Sequence, residues 1–226
     1  MNLYHCYMYS VVEENYLKAL FSLAGPGDEV SINDLSKRLE IKMPTVNSMM
    51  KRFSEKGLIT YESYKPVKIT KKGKKEAALI VRKHRLTEMF LVERMGFNWE
   101  EVHEIAEQIE HIKSTLFFDK MDALLGHPQF DPHGSPIPDR NGHLADTGFI
   151  PLSQCRPQEE VTLRGVLDSS EDFLRFLNGK SILLGDVIVI HAIEVYDGSM
   201  DLEFKNKFRE KFSQLVCAKL LIQKDR

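Results

Sequence analysis

The stretch SINDLSKRLEIKMPTVNSMMKRFSEKG, residues 31–57, contains two helix-forming segments joined by a short turn. Ser31 is a typical N-cap for a first helix that carries Leu35 on its apolar side. Pro44 suits the start of a second helix, where its missing amide proton costs nothing, and Gly57 is favourable just beyond its end. Because the second helix is basic and polar on its outer side, the stretch predicts a helix-turn-helix.

Two short β-type runs, LITYES and VKIT, follow this motif and are separated by a turn that contains Pro66. A hairpin placed directly after a helix-turn-helix is typical of a wing. A further amphipathic helix is predicted before the motif, over residues 11–24. We therefore predict a winged helix-turn-helix domain over residues 1–73.

The charge distribution favours a nucleic-acid partner for this domain. The net charge of the chain is −2. Between residues 31 and 85, Lys and Arg outnumber Asp and Glu three to one, whereas acidic residues predominate elsewhere. A basic module on an acidic body is typical of a DNA-binding protein with a separate regulatory part, although a solvated Lys-rich face is the alternative.

The remaining composition is that of an ordinary globular protein, with 42% hydrophobic residues. No apolar run is long enough for a transmembrane helix, and the N-terminus lacks the pattern of a signal peptide. Cys6, Cys155 and Cys217 form no CxxC pair, so we expect a reduced, cytoplasmic protein. We also expect no membrane partner and no organic cofactor.

The stretch VHEIAEQIEHI, residues 102–112, places imidazole and carboxylate groups together. On an ideal helix His103, Glu107, Glu110 and His111 fall within roughly 100° of arc, since each residue turns about 100°. Such side chains are ligands for divalent cations. The alternative is a solvated helix face that happens to contain two histidines.

The rest of the chain predicts a helical middle part and a β-rich end. A long helix over 74–95 carries His84 and Glu88 four residues apart, and a capping pattern at Asn98 places the start of the next helix near Trp99. Alternating β-branched runs, including QLVCAKLLI near the C-terminus, predict a small barrel after Pro151. The fold class is therefore mainly α with small β parts.

Together, HRLTEMFLVERMGFNWEEVHEIAEQIEHIKS and the loop DPHGSPIP resemble metal-dependent transcriptional repressors of the diphtheria toxin repressor and manganese transport regulator type. The resemblance spans nearly the whole chain. It implies a winged helix-turn-helix domain (1–73), a helical dimerisation and metal-binding domain (74–150) and an SH3-like domain (151–226). It also implies a homodimer formed through the helical domain, double-stranded operator DNA as partner, and no enzymatic activity.

The resemblance assigns metal ligands to three regions of this sequence. A primary site is implied at Glu107, Glu110 and His111, completed by a residue of the first helix, at Asn15. An ancillary site is implied at His84, Glu88 and His103. The loop and the SH3-like domain are implied to add His133, with Asp131 beside it, and Asp168.

Three positions depart from the family pattern. Iron-responsive members carry Cys where this chain has Glu107, and a carboxylate favours harder ions, which favours Mn²⁺ over Fe²⁺ as effector. Zn²⁺, Co²⁺ or Ni²⁺ is expected to substitute in vitro. Asn15 stands where the family has Asp or Met, so that Glu13 or Glu14 is a possible substitute ligand. Lys18 replaces a Glu that supports a second ion, which speaks against a closely paired two-metal site.

Residues around the second helix of the motif and in the wing are the candidates for DNA contact. Phosphates would attract the basic ones, and base edges would be read from the start of the helix. The candidates are Lys42, Pro44, Thr45, Asn47, Ser48, Lys51, Arg52, Lys65 and Lys68.

Several alternatives remain at this point. Glu100-x-x-His103 matches one ligand unit of a helical-bundle metalloenzyme, but a second unit with suitable flanks is missing. A regulator with a small organic effector would need an apolar pocket instead. Among single residues, His84 and Glu88 could form a surface pair, His133 could be an ordinary loop residue, and Asp168 could cap the helix that follows it.

Overall fold

The computed structural model describes residues 9–25, 27–63, 65–205 and 207–224. These residues form two compact units, which we call unit 1 and unit 2. Unit 1 comprises the described residues up to 87 together with 106–127 and 137–145, and unit 2 comprises 88–105, 128–136 and the described residues from 146 onward. The predicted division into three domains stays a prediction.

Unit 1 begins with three helices that the sequence predicted. Helix α1 spans Val11–Leu23, α2 spans Ile32–Leu39 and α3 spans Met43–Glu55. The Ser31 hydroxyl caps α2 by accepting from the amides of Asn33 and Asp34. Pro44 lies in the first turn of α3, as expected for a residue without an amide proton.

The predicted wing is also confirmed, with one addition. Strands β2 (Ile59–Thr60) and β3 (Val67–Ile69) pair antiparallel. A two-residue strand that the sequence did not reveal, β1 (Glu29–Val30), pairs with the other edge of β3, so the strand order is β1-β3-β2. The wing is therefore anchored on both sides by backbone hydrogen bonds.

Apolar side chains from α1, α2, α3 and the wing form one core in unit 1. Burial of such side chains stabilises the fold by about 1.5–3 kcal/mol each. The ring of Tyr16 in α1 packs edge-to-face on Phe53 in α3, with centroids 6.3 Å apart. The largest fully buried members of this core are Tyr16, Leu17, Leu20, Leu35, Met50, Phe53, Leu58 and Ile59.

The helical middle part contains α4 (Lys71–Met95), α5 (His103–Ile109) and α6 (Thr115–Leu124). The predicted start of α5 near Trp99 is wrong. The capping contact between the Asn98 amide and the Glu101 carboxylate forms, at 2.8 Å, but it closes a turn rather than a helix. The carbonyl of Trp99 accepts instead a hydrogen bond from His133 Nε2, at 2.8 Å.

The end of α5 also differs from the predicted amphipathic helix. Glu110 and His111 lie just beyond its last residue. Glu110 is fully buried, whereas Ile112, expected on the packed side, is 40% exposed. The helical periodicity fails here because the chain leaves the helix at Ile109, so the next residues face directions that a helix would not give them.

Unit 2 contains an antiparallel sheet of six strands in the order β4-β9-β5-β6-β7-β8. The strands are β4 (Ile150–Pro151), β5 (Glu160–Val166), β6 (Val187–Ile193), β7 (Met200–Phe204), β8 (Phe208–Phe212) and β9 (Leu220–Lys224). The predicted β-rich domain is therefore confirmed. Helix α7 (Glu171–Gly179) packs its apolar side into the core of this sheet.

Two elements of unit 2 differ from the prediction. The run QLVCAKLLI is helical over its first part, α8 (Gln214–Lys219), because Ser213 caps it by accepting from the Val216 amide. Strand β8 was not predicted, since its central residues are charged and exposed. Charged side chains are common on edge strands, which they protect from pairing with other chains.

The two cysteines of unit 2 are expected to resist thiol reagents in the folded protein. Cys155 and Cys217 are free and buried. Burial raises the pKa of Cys155 and raises that of Cys217 to about 12. Because the thiolate is the reactive form, iodoacetamide at pH 8 should modify both only after unfolding.

Peptide mass spectrometry with and without urea measures this difference. Rapid modification of Cys217 without urea would contradict the buried position. Cys6 lies outside the described residues and is not covered by this expectation.

Candidate metal centres

The predicted metal ligands of unit 1 gather around the polar side of α1. Glu110 lies at the centre of this group, which we call the α1 cluster. Its members are Glu14, Asn15, Lys18, His84, Glu107, Glu110 and His111.

One oxygen of Glu110 is already occupied by positive or donor groups. Its Oε2 lies 2.9 Å from Lys18 Nζ and 2.6 Å from His84 Nδ1. Lys18 Nζ also lies 2.5 Å from Oε1 of Glu107. The lysine therefore joins α1 to two residues at the end of α5.

The remaining oxygen of Glu110 has no such partner. Within the described part of the chain, Glu110 Oε1 and Asn15 Oδ1 are buried atoms without a hydrogen-bond partner. Leaving a buried acceptor unsatisfied costs about 1–3 kcal/mol, and more for a charged group. Two oxygens in this condition are what a bound cation would satisfy.

His111 is placed so that it could bind a metal ion. Its Nδ1 lies 2.6 Å from a carboxylate oxygen of Glu14. A neutral imidazole that donates from Nδ1 keeps a lone pair on Nε2, and carboxylate partners of this kind commonly orient histidine ligands. The Nε2 atom lies 3.9 Å from Glu110 Oε1, the unpartnered oxygen.

The two glutamates that precede Asn15 have different surroundings. Glu13 accepts from the Ser10 amide in a capping box and pairs with Lys56 at 2.5 Å. Glu14 contacts His111 and pairs with Lys113 at 2.6 Å. Of the two substitute ligands considered for the first helix, Glu14 therefore belongs to the α1 cluster and Glu13 does not.

A second group of candidate ligands lies within unit 2, and we call it the Glu88 cluster. Glu88, Asp131 and His133 are all buried, and each offers one ligand atom within 4.8 Å of the others. His103 adjoins them, with its Nδ1 3.3 Å from Glu88 Oε1. The Pro-His-Gly loop and the last part of α4 thus supply one compact set of nitrogen and oxygen ligands.

The orientation of His133 is fixed by its surroundings. Its Nε2 donates to the Trp99 carbonyl, and the Trp99 ring stacks on the imidazole with centroids 6.0 Å apart. Nδ1 then faces Glu88 Oε2 at 3.6 Å. Burial opposes a charge on the ring, but Glu88 and Asp131 outweigh it and hold the pKa of His133 above its ordinary value. The Glu88 cluster therefore attracts positive charge.

The predicted ancillary residues and Asp168 have the following contacts. His84 contacts Glu110 in the α1 cluster, whereas Glu88 contacts His103 and His133, and the predicted ancillary site stays a prediction. Asp168 is not a member of the group formed by Glu88, Asp131 and His133.

The carboxylate of Asp168 has other contacts. It pairs with Lys219 at 2.5 Å and accepts from the Ser170 amide. The alternative role of Asp168 as a helix cap is also not realised, since Ser170 is the N-cap of α7.

The predicted DNA-contacting residues lie on one part of unit 1, around α3 and the wing. Asn47 is half-buried and accepts a hydrogen bond from the Tyr61 hydroxyl at 3.4 Å. Arg52 pairs with Glu13 and Lys65 with Glu62, and both cations remain mostly exposed. The exposed candidates are Lys42, Pro44, Thr45, Ser48, Lys51, Arg52, Lys65 and Lys68.

No helix of the described residues is both long and apolar enough to cross a lipid bilayer.

Comparison with known proteins identifies relatives for both the DNA-binding and the metal-binding parts. The model for the iron dependent repressor N-terminal DNA binding domain matches residues 8–67. The model for the iron dependent repressor metal binding and dimerisation domain matches residues 70–139. The second match contains most candidate ligands of both clusters.

Two curated relatives are iron-dependent or diphtheria toxin repressors. The chain is 30% identical to the diphtheria toxin repressor of Corynebacterium efficiens over 191 residues, covering 78% of this chain and 81% of that protein. It is 34% identical to the iron-dependent repressor IdeR of Mycobacterium leprae over 150 residues, covering 66% of this chain and 64% of that protein. The chain thus spans less than two thirds of the length of the latter relative.

Solved structures of similar architecture cover nearly the whole chain. A manganese-dependent transcriptional repressor in complex with manganese superposes with a TM-score of 0.85 at 28% identity, covering 94% of this chain and 99% of that chain. ScaR with bound Cd²⁺ superposes with a TM-score of 0.82 at 27% identity, covering 94% and 99%. The chain therefore belongs to the family of metal-dependent transcriptional repressors that includes the iron-dependent and diphtheria toxin repressors.

Proposed function

We propose that this protein is a metal-activated transcriptional repressor that binds a palindromic operator as a homodimer and controls genes of metal homeostasis. The observation that carries the proposal is the α1 cluster. Among the described residues, Glu110 Oε1 is buried without a partner 3.9 Å from His111 Nε2, and Asn15 Oδ1 on α1 is also buried without one. A divalent ion bound there would supply positive charge and join α1 to the end of α5.

Helix α1 connects this cluster to the DNA-binding surface. Its polar side carries the cluster, while Tyr16, Leu17 and Leu20 lie in the winged-helix core with Val46 and Phe53 of α3. Close-packed cores transmit small shifts rather than absorbing them. Fixing α1 therefore restricts the position of α3, and metal shifts the population toward the DNA-competent arrangement. Coupling of this type is typically about 1–3 kcal/mol.

The ligand chemistry favours Mn²⁺ as effector. Both clusters consist of carboxylate, amide and imidazole groups, which suit Mn²⁺ and also accept Fe²⁺. The described cysteines belong to the core of unit 2 and are not in these clusters. Among the described residues, neither the α1 cluster nor the Glu88 cluster therefore contains a soft thiolate ligand, which would favour other ions.

The helical part of unit 1 supports dimerisation. Helix α6 exposes apolar side chains, with Leu116 67% exposed and Leu124 57% exposed. Phe117 and Ile112 add to this surface, at 41% and 40%. Clustered exposed apolar residues mark interaction surfaces, and a second copy of the chain would cover them.

A role as a DNA-binding regulator rather than a catalyst follows from the same features. The exposed basic surface of α3 and the wing has no use in a helical-bundle metalloenzyme. Both family models that match the chain describe domains of iron dependent repressors. We therefore favour the regulator over the metalloenzyme and over a regulator with an organic effector.

Binding of the purified protein to its own upstream DNA should require a divalent ion. Fluorescence anisotropy at fixed salt, with Mn²⁺, Fe²⁺, Zn²⁺ or a chelator, measures this, and scrambled DNA of equal length is the control. We expect specific binding with Mn²⁺, weaker activation by Fe²⁺ and loss of specific binding with chelator. Equal affinity under all conditions would contradict a metal-activated repressor.

A further inference from the structure

A side-chain contact joins α3 to the wing on the surface that we propose binds DNA. The hydroxyl of Tyr61, the residue after β2, donates to Asn47 Oδ1 at 3.4 Å. Both residues line a groove of about 590 Å³ that is bordered by α2, α3 and the wing. Lys51 and Lys65 line the same groove, so its walls carry the positive charge that attracts a nucleic acid.

Tyr61 can orient Asn47 because its own position is fixed. Its ring packs against the core of unit 1. The strand that precedes it, β2, pairs with β3, and the other edge of β3 pairs with β1. Asn47 is half-buried, so its side chain has less freedom than that of an exposed asparagine. The hydroxyl therefore restrains the Asn47 amide from the side of the wing.

The contact decides which end of the Asn47 amide is available to a ligand. An asparagine amide accepts through Oδ1 and donates through Nδ2. Oδ1 faces the Tyr61 hydroxyl, whereas Nδ2 has no hydrogen-bond partner among the described residues. Asn47 therefore offers a hydrogen-bond donor.

The neighbouring polar residue of α3 is used differently. The Ser48 hydroxyl donates to the Pro44 carbonyl at 3.0 Å, within its own helix. Its hydrogen is already engaged, and its direction depends on α3 alone. The direction of the Asn47 amide depends instead on a residue of the wing.

A donor and an acceptor recognise different bases in the major groove. Guanine O6 and thymine O4 accept from a donor, whereas cytosine presents only an amino group there. An asparagine that can use both its amide atoms prefers adenine, which it binds through N6 and N7. Holding Oδ1 against the wing withdraws the acceptor and leaves the donor.

We propose that Tyr61 is a positioning residue that sets the base preference of Asn47, so that Asn47 donates to guanine O6 or thymine O4 and discriminates against adenine and cytosine. The inference deepens the proposed function, in which α3 and the wing bind operator DNA, and it rests on that function.

The test is the affinity for the protein's own upstream DNA and for duplexes in which each base pair is exchanged in turn, measured by fluorescence anisotropy with Mn²⁺ at fixed salt. Tyr61→Phe keeps the ring and loses the hydroxyl. It should tolerate adenine at one position of each half-site, where the unmodified protein should lose roughly 5–150-fold in affinity, the range for one mismatched base pair. Asn47→Ala should lose all preference at the same position.

A change of donor into acceptor tests the inference a second time. Asn47→Asp keeps an oxygen for Tyr61 and replaces the donor with an acceptor. Because a carboxylate accepts from the amino group of cytosine, this variant should prefer cytosine where the unmodified protein prefers guanine or thymine. It alters no core residue, so the inference stays testable if Tyr61→Phe fails to fold.

Tyr196→Phe is the matched control. It removes a hydroxyl from a tyrosine of unit 2 that is 97% exposed, and it should leave the base preference unchanged. The same relaxed preference in this variant would overturn the role of Tyr61, because the effect would then not depend on the contact with Asn47.

The other outcomes separate the inference from the proposed function. An unchanged base preference in Tyr61→Phe would overturn the role of Tyr61, and so would an equal loss of affinity on every sequence. An unchanged preference in Asn47→Asp would show that Asn47 does not contact the base. An unmodified protein that binds all sequences equally with Mn²⁺ would contradict the proposed function as well.

Discussion

Replacement of Glu110 by Gln should abolish metal-stimulated DNA binding while the protein stays folded. Glu110 is fully buried, and its Oε1 is one of the two unpartnered oxygens of the α1 cluster among the described residues. The amide has nearly the same shape as the carboxylate but removes the negative charge that an ion would need. Loss of supporting residues around metal sites costs 10–100-fold in affinity, so loss of this ligand should cost at least about 100-fold.

The stability of Glu110→Gln should fall only moderately. Lys18 loses one charged partner but keeps Glu107, at 2.5 Å, so the ammonium still has a carboxylate beside it. We expect a loss of roughly 1–3 kcal/mol, the range for a disturbed buried polar contact. Thermal unfolding followed by circular dichroism measures this, and DNA anisotropy with Mn²⁺ measures the functional loss.

Glu93→Gln is the matched control for this experiment. It makes the same chemical change at an exposed position of α4 and should leave metal response and stability unchanged. A Glu110→Gln protein that still binds DNA only with Mn²⁺, at the original Mn²⁺ concentration, would show that the α1 cluster is not the effector site.

The winged helix could be predicted because local rules decide it. N-caps such as Ser31, the proline at the start of α3 and the glycine after its end are signals that lie within a few residues of the elements they bound. The sequence did not predict strand β1, because two residues are too few to show the alternation of apolar and polar side chains that indicates a strand. It exists only through pairing with β3, which lies far along the chain.

The ligand types of the candidate site could be predicted, but their individual contacts could not. The spacing of His84 and Glu88 places them on one helix, yet His84 contacts Glu110 while Glu88 contacts His133. Such partners depend on how separate segments pack. Local spacing does not contain this information, so these individual contacts emerged only with the structure.

A local sequence signal could have distinguished Glu14 from Glu13 as the residue of the α1 cluster. Ser10 and Glu13 form a capping box, the S-x-x-E pattern that marks the start of a helix. This pattern commits Glu13 to the helix terminus and leaves Glu14 as the acidic residue of α1 available to His111. Trp99, by contrast, contributes through its backbone carbonyl, which no side-chain pattern reveals.

Replacement of Gly134 by Ala should destabilise unit 2 and disrupt the Glu88 cluster. Gly134 has φ +82°, and a Cβ there would lie 2.0 Å from the Arg164 carbonyl oxygen and 2.5 Å from Gly165 Cα. Backbone atoms cannot yield as a flexible side chain would, so the loop must move away from β5. Overpacking and left-handed strain together should cost about 3 kcal/mol or more.

The movement should reach the metal ligands directly. The His133 carbonyl accepts from the Val166 amide at 2.9 Å, and Asp131 accepts from the amides of His133 and Ser135, each at 2.9 Å. These bonds hold Asp131 and His133 beside Glu88. Displacing the loop therefore separates the ligand atoms, and the folded variant should bind one Mn²⁺ fewer per subunit than the unmodified protein.

Gly148→Ala distinguishes the close approach from backbone strain alone. Gly148 also lies in unit 2 with φ +62°, but no atom lies within 4 Å of a Cβ built there. This variant should lose only about 1–2 kcal/mol and keep its full complement of Mn²⁺. Equal losses of stability and of bound metal in both variants would mean that the contact with Arg164 does not position the Glu88 cluster. A larger loss in Gly134→Ala alone would show that the Pro-His-Gly loop needs glycine because the backbone of β5 lies against it.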